Sequence, residues 1–254
     1  MLLKKIWIVW LLFAGITSAL RAEAPDSLIV RANLFYANKM YEDAAALYQQ
    51  VADSGLVASD LYYNLGNAYF KSHDIAHAIL NYERALLLDP GNEDIRFNLE
   101  LARTYVTDKI DVLPSFFLVQ WYHWFLERFS TDTWAKISLA AFVIALFLLS
   151  LFLYGHRIAL RRSGFISGII ILAFSLLALF FALESRKMLT AHDHAIVVQP
   201  SVTVTSAPDE SGTVLFVIHE GTKVKVDESL DNWYEIRLSD GSKGWLIKKA
   251  VEII

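Results

Sequence analysis

Residues 60–90 read DLYYNLGNAYFKSHDIAHAILNYERALLLDP. The stretch is helical in composition, yet its apolar positions hold some of its smallest residues, Gly66, Ala78 and Ala85, among tyrosines. Small residues at a contact let two helix backbones approach closely, while large neighbours such as Tyr69 and Tyr82 fill the grooves on either side. Two antiparallel helices satisfy this pattern. Pro90 with Gly91 ends the second helix, because proline cannot continue it.

A shift of 34 residues superposes this stretch on the one before it. Ala32 falls on Gly66, Phe35 on Tyr69, Ala44 on Ala78, Tyr48 on Tyr82, and Val51 on Ala85. This period and residue order resemble the tetratricopeptide repeat. Tyr62, Leu65, Gly66, Tyr69, Ala78, Tyr82, Ala85 and Pro90 occupy its landmark positions, with Tyr62 where the pattern has Trp. The repeats are expected at 25–58 and 59–92. EDIRFNLELARTYV then opens a third unit, a single capping helix within 93–107, with Asn92 as its N-cap and Glu93 and Asp94 at its positive end. Two repeats and a cap are few for a continuous core, so this module is expected to lean on a partner. The resemblance implies protein binding on a concave face, at Ile29, Asn33 and Tyr36 in the first copy and Tyr63, Asn67 and Phe70 in the second. Each either meets a partner or packs within the repeats. Asp94 and Asn98 stand where a clamp for a C-terminal carboxylate would need Lys or Arg, which argues against that mode.

Apolar residues make up 55 % of the 254 residues, more than a globular domain usually carries. The net charge is −4 with no basic face, which excludes nucleic acid as the expected partner. There are no cysteines, hence no disulfide, thiolate site or thiol chemistry. MLLKKIWIVWLLFAGITSALRAEA has Lys4 and Lys5, an apolar run over 6–16 and then small residues. That order predicts a signal peptide over 1–22, cleaved after Ala19 or Ala22 or else kept as an anchor. Two more apolar runs, 135–154 and 165–183, are each long enough to cross a bilayer as a helix. Arg157, Arg161 and Arg162 lie in the short loop between them, GHRIALRRS, and mark it as cytoplasmic. Export of the N-terminus then places both soluble parts outside, on the inner membrane of a bacterium. Segment 114–133 is dense in aromatics, and either lies on the outer membrane surface among lipid headgroups or docks a partner.

After the membrane the pattern turns to short alternating strands. Asp240-Gly241, between WYEIRL and KGWLI, predicts a two-residue type I′ hairpin. Residues 195–254 resemble a bacterial SH3 domain, through VTVTSAPDESGTVLFVIHEGTKVKV and NWYEIRLSDGSKGWL with its Gly244-Trp245 pair. The resemblance implies a small all-β barrel that binds wall peptides or proteins. Trp233, Tyr234 and Trp245 form an aromatic groove, or Tyr234 and Trp245 belong to the core.

Catalytic constellations are missing. His73 and His77 have a zinc-protease spacing, but Asp74 replaces the glutamate and His73 falls in the turn between helices. HDH at 192–194 reads as a solvated linker. No cofactor motif is present, and no enzyme is expected. The fold class expected is multidomain α and β: helical repeat hairpins, a two-helix membrane hairpin and an SH3-like barrel. That order, with NEDIRFNLELAR after the second repeat and STDTWAKISL entering the membrane, resembles the BatE-type proteins of bacterial aerotolerance (Bat) operons. Such a family implies a membrane scaffold working with Bat proteins that carry von Willebrand factor A domains and with a MoxR-type ATPase. The alternative is a peptidoglycan-binding wall sensor or hydrolase accessory protein.

Overall fold

A computed structural model describes residues 25–110, 116–209 and 211–254. The expected signal peptide, 1–22, lies outside the described residues. The chain divides into two compact units, one ending at Leu56 and the other beginning at Val57.

In the first unit, α1 (Pro25–Ala37) and α2 (Tyr41–Asp53) form one hairpin. Proline suits the first turn of α1, where its missing N–H would have no partner. Leu28 and Ala32 of α1 and Ala44, Ala45, Tyr48 and Val51 of α2 are buried. The Tyr48 hydroxyl donates to the Asn33 carboxamide oxygen.

The second unit begins with α3 (Ser59–Lys71) and α4 (Ile75–Leu88). The turn between them uses His73 in the left-handed region, φ 68°, and the Asp74 side chain accepts from the His77 N–H to cap α4. A Cβ added to Gly66 would lie 2.7 Å from the Tyr82 ring. Only glycine lets that ring lie flat on the α3 backbone, which is why the smallest residue sits on the apolar face. The Tyr82 hydroxyl donates to Asn67 at 2.8 Å. This bond is the Tyr48–Asn33 bond repeated 34 residues later. α5 (Glu93–Arg103) starts at Asn92, whose side chain accepts from the Asp94 and Ile95 N–H groups.

An aromatic helix, α6 (Phe117–Leu126), precedes the two long apolar helices, α7 (Thr131–Tyr154) and α8 (Ile158–Ala191). Both are long and apolar enough to cross a membrane. Both also run past the apolar stretches 135–154 and 165–183. Only Gly155, His156 and Arg157 form the turn, so Arg161 and Arg162 are helical where a loop was expected. Arg161 donates to the Phe152 carbonyl and lies over the Phe152 ring, which makes the helical start tenable. Ser138, Ala141 and Ala145 of α7 and Gly164, Gly168, Ser175, Ala178, Ala182 and Ser185 of α8 are buried in the seam. Ser138 donates to the Ser175 carbonyl at 3.0 Å and Ser175 to the Ser138 carbonyl at 2.9 Å. Small residues substitute for hydrophobic drive inside a bilayer, because close backbone contact is what remains to gain there.

His192, at φ 45°, stops α8, and His194 opens the first strand. There is no linker. The strands are β1 (His194–Val197), β2 (Ser201–Thr205), β3 (Val214–His219), β4 (Lys223–Leu230), β5 (Trp233–Arg237), β6 (Lys243–Ile247) and β7 (Val251–Ile253). They form one antiparallel sheet in the order β3-β2-β6-β5-β4-β1-β7. Val197, Val204, Ile218, Ile236 and Leu246 fill its core. The β5–β6 turn corrects the type I′ expectation. Gly241 donates to the Leu238 carbonyl, and of Ser239, Asp240 and Gly241 only Gly241 has positive φ, 89°. That is a three-residue loop closed by a glycine bulge. The two-residue connection is Asp231 and Asn232, between the paired Leu230 and Trp233.

Candidate functional site

The residues expected on the concave face of the repeats are partly engaged internally. Asn33 and Asn67 each accept a tyrosine hydroxyl, as described. Asn98 of α5 donates to Asn67 at 2.9 Å and to the Tyr63 hydroxyl at 3.0 Å, so Tyr63 and Asn67 belong to a chain Tyr82–Asn67–Asn98–Tyr63. Phe70 meets the Tyr105 ring edge to face at 5.6 Å. Tyr36 meets Tyr41 in the same manner at 5.2 Å, and Ile29 is half-buried. The repeat pattern continues one helix further. The 34-residue shift carries Tyr63 and Asn67 onto Phe97 and Leu101, which stand exposed on α5, Phe97 by 69 %.

Strand alternation divides the aromatic groove expected on the barrel. Tyr234 points to the core with Ile236, and the Lys248 ammonium lies 4.9 Å from its ring centre. Trp233 pairs with Ile247 and Leu230, and Trp245 pairs with Glu235, on the opposite face of the sheet. Trp233 and Trp245 therefore share a face without Tyr234. A one-residue offset along a strand always reverses the side, so three residues that include a consecutive pair cannot line one groove.

Between the second repeat and the barrel lies a junction that no local pattern announced. Ile196 and Ile254 of the barrel join Ile79, Tyr82, Leu99 and Val106 in one apolar cluster. β1 and the Gly221 turn of the barrel thus pack on α4 and on Val106 just past α5. Glu83, with a side chain only 6 % exposed, accepts from Arg103 at 2.6 Å and from Lys223 at 2.8 Å. Burial alone would raise its pKa, but attraction to Lys223 and Arg103 holds it below the ordinary carboxylate value. Asp108 accepts from the His219 N–H, the His219 ring and the Thr222 hydroxyl, and so ties the connecting segment to the β3–β4 turn. Arg84 donates to the Ile253 carbonyl on the β7 edge.

His77 belongs to this junction. Its Nδ1 lies 2.8 Å from both Asp74 oxygens, and its Nε2 lies 3.4 Å from Glu252. The hydrogen bond to Asp74, then that to Glu252, push its pKa from 6.5 up to about 10. A folded pKa above the unfolded one stabilises the fold fully below pH 6.5, and that stabilisation is lost as pH rises toward 10. Unfolding followed in detergent should therefore show stability falling from pH 7 to pH 10, and His77→Gln should flatten that slope. An unchanged slope in the variant would remove His77 from the account. His73 sits exposed in its turn, away from this arrangement. In the HDH stretch His192 is exposed and its ring lies 3.2 Å from the Ile254 carbonyl, while the half-exposed His194 lies 2.8 Å from Asp193. Among the described residues no cluster of three or more His, Cys, Asp or Glu is placed to hold a metal.

The aromatic helix α6 keeps Phe117, Trp121 and Trp124 exposed on one side, Trp121 by 64 %. On its other side Tyr122 and Phe125 meet Phe181 of α8, and Phe181 stacks on Trp134 of α7 at 5.0 Å. The helix is thereby fixed beside the end of α8 remote from the Gly155 turn.

Residues 59–92 match the family model of the tetratricopeptide repeat, and residues 201–252 match that of the bacterial SH3 domain. No curated protein matches the chain. Two stretches of this protein are thus similar to protein-interaction or wall-binding modules, and two helices between them fit a membrane anchor.

Proposed function

We propose that this protein is a non-enzymatic, membrane-anchored adaptor. The observation that carries the reading is the shared core of the second repeat and the barrel, which holds two binding modules in fixed relation at the end of α8. The domain limits are those of the sequence reading: repeats 25–58 and 59–92, cap 93–107, interfacial segment 114–133, spans within 135–154 and 165–183, barrel 195–254. The repeats hold a protein partner through Ile29, Asn33 and Tyr36 in the first copy and Tyr63, Asn67 and Phe70 in the second. The hairpin fixes the complex in the inner membrane of a bacterium, with repeats and barrel outside. The partners are Bat-type membrane proteins with von Willebrand factor A domains, in a complex serving aerotolerance or envelope stress.

Capture of the tagged full chain from solubilised membranes tests this. Such proteins should be recovered, and Tyr36→Ala with Phe97→Glu should lower recovery about tenfold, as loss of a central aromatic anchor does. Recovery of none, or equal recovery with the variant, refutes the reading. For sidedness, single cysteines at 60, 160 and 230 have an empty background. An impermeant thiol reagent should reach 60 and 230 and spare 160.

A second reading has its own support. Trp233, Trp245, Leu230 and Ile247 offer an aromatic and aliphatic platform on the outer sheet face, suited to peptidoglycan. The solubilised full chain should then sediment with wall sacculi, and Trp233→Ala with Trp245→Ala should leave it in the supernatant.

A further inference from the structure

A cavity of about 510 Å³ lies where α4, α5, the end of α6, the far end of α8 and Lys223 of the barrel meet. A neighbouring cavity of about 460 Å³ shares Glu83, Leu87, Glu127, Met188 and Lys223 with it, so the two form one groove. The groove sits at a definite height along α8. Met188 lies five residues beyond Leu183, where the apolar run ends, and five residues of helix rise about 7.5 Å. The headgroup layer of one leaflet is about 5–8 Å thick. Leu126 and Glu127, which close the aromatic helix, line the same groove. Its floor is also fixed from above: a Cβ added to Gly91 would come within 2.8 Å of the Arg128 carbonyl, so the α4–α5 turn rests on the segment between α6 and α7.

The charges of the larger cavity balance in number, Arg96, Arg103 and Lys223 against Glu83, Glu100 and Glu127. They do not balance in pairing. Arg103 is spent on Glu83 and Glu100, and Lys223 on Glu83. Arg96 donates to the Pro90 carbonyl at 2.6 Å and, among the described residues, meets no carboxylate. Nor, among them, does the Glu127 carboxylate meet any cation or donor. One guanidinium and one carboxylate are thus left to a ligand, set in a wall that includes Leu86, Leu99, Leu126 and Met188.

We propose that this groove binds a zwitterionic phospholipid whose headgroup carries a primary ammonium. The phosphate pairs with Arg96, since guanidinium and phosphate match in charge and geometry. The ammonium donates to Glu127, and the acyl chains run down the apolar surface of α7 and α8. Choline has no N–H to donate, and a glycerol headgroup has no cation. The proposal rests on the reading of α7 and α8 as membrane spans.

The test uses the full chain extracted in mild detergent, with co-purified phospholipids weighed against the bulk membrane. Phosphatidylethanolamine should be enriched about three- to tenfold, the range for one partly solvated charge-assisted hydrogen bond. After delipidation, added phosphatidylethanolamine should raise the unfolding temperature more than phosphatidylcholine or phosphatidylglycerol does. Arg96→Gln and Glu127→Gln, both at exposed positions, should each bring the enrichment close to one while near-UV circular dichroism stays native. No enrichment, or equal enrichment in wild type and variants, overturns the proposal. Alkaline carbonate separates the two levels. A chain washed off the membrane defeats the spanning reading itself, whereas a chain that stays but shows no preference defeats only the lipid site.

Discussion

Replacing Tyr82 with alanine is expected to cost the unit from Val57 onward about 3–5 kcal/mol, the range for deleting a fully buried aromatic ring. Tyr82 is 1 % exposed and lies flush on the α3 backbone at Gly66. Its removal leaves a void between α3 and α4 that neither helix can close, because the Asp74 cap and the His73 turn hold them together. The ring is also pinned at its far end by Asn67. Tyr82→Phe isolates that hydroxyl and should cost only about 1 kcal/mol, since Asn67 keeps its bond from Asn98. Gly66→Ala should destabilise as well, because a pinned ring cannot retreat from a Cβ 2.7 Å away. Denaturant unfolding in detergent, followed by near-UV circular dichroism, measures all three. A loss below about 1 kcal/mol for Tyr82→Ala would mean that the tyrosine is not the wedge between these helices.

The second large effect concerns Glu83. Arg103→Met and Lys223→Met should each cost about 3 kcal/mol, the lower end for removing one partner of a buried ion pair, because one cation remains in each variant. The double variant should lose more than the sum, because it leaves the carboxylate buried and alone. Glu83→Gln should be milder than either single cation variant, for Arg103 and Lys223 both reach solvent and can rehydrate. The triad joins α4, α5 and β4, so its loss should also uncouple the modules. Calorimetry of the wild-type unit should give one transition, and the double variant should give two, with the barrel melting apart from the repeat. A single transition in the double variant would show that the apolar cluster around Ile196 and Ile254 couples the modules without the ions.

Much of this architecture is periodic, and periodic features are legible. The 34-residue shift placed the helical hairpins because each landmark depends on a neighbour within one repeat: Gly66 on Tyr82, Asn92 on the first turn of α5. The same shift would have found Phe97 and Leu101 had it been carried one helix further. The seam between α7 and α8 is legible too. Gly164, Gly168, Ser175, Ala178, Ala182 and Ser185 follow a seven-residue rhythm of small side chains. Turn chemistry was less secure. Asp240-Gly241 fits two loop lengths, and the strand pairing on either side decided between them.

The sequence by itself determined the α-helical repeat, the two apolar helices and the β-pattern of the last sixty residues, since these follow from spacing within about thirty-five positions. Only the tertiary structure decided that the last repeat and the barrel are one body. Glu83 and Lys223 stand 140 residues apart, and Asp108 and Thr222 stand 114 apart. No periodicity links such partners; they meet because Ile79 and Val106 must be covered and a buried carboxylate must find its cations, wherever the chain brings them.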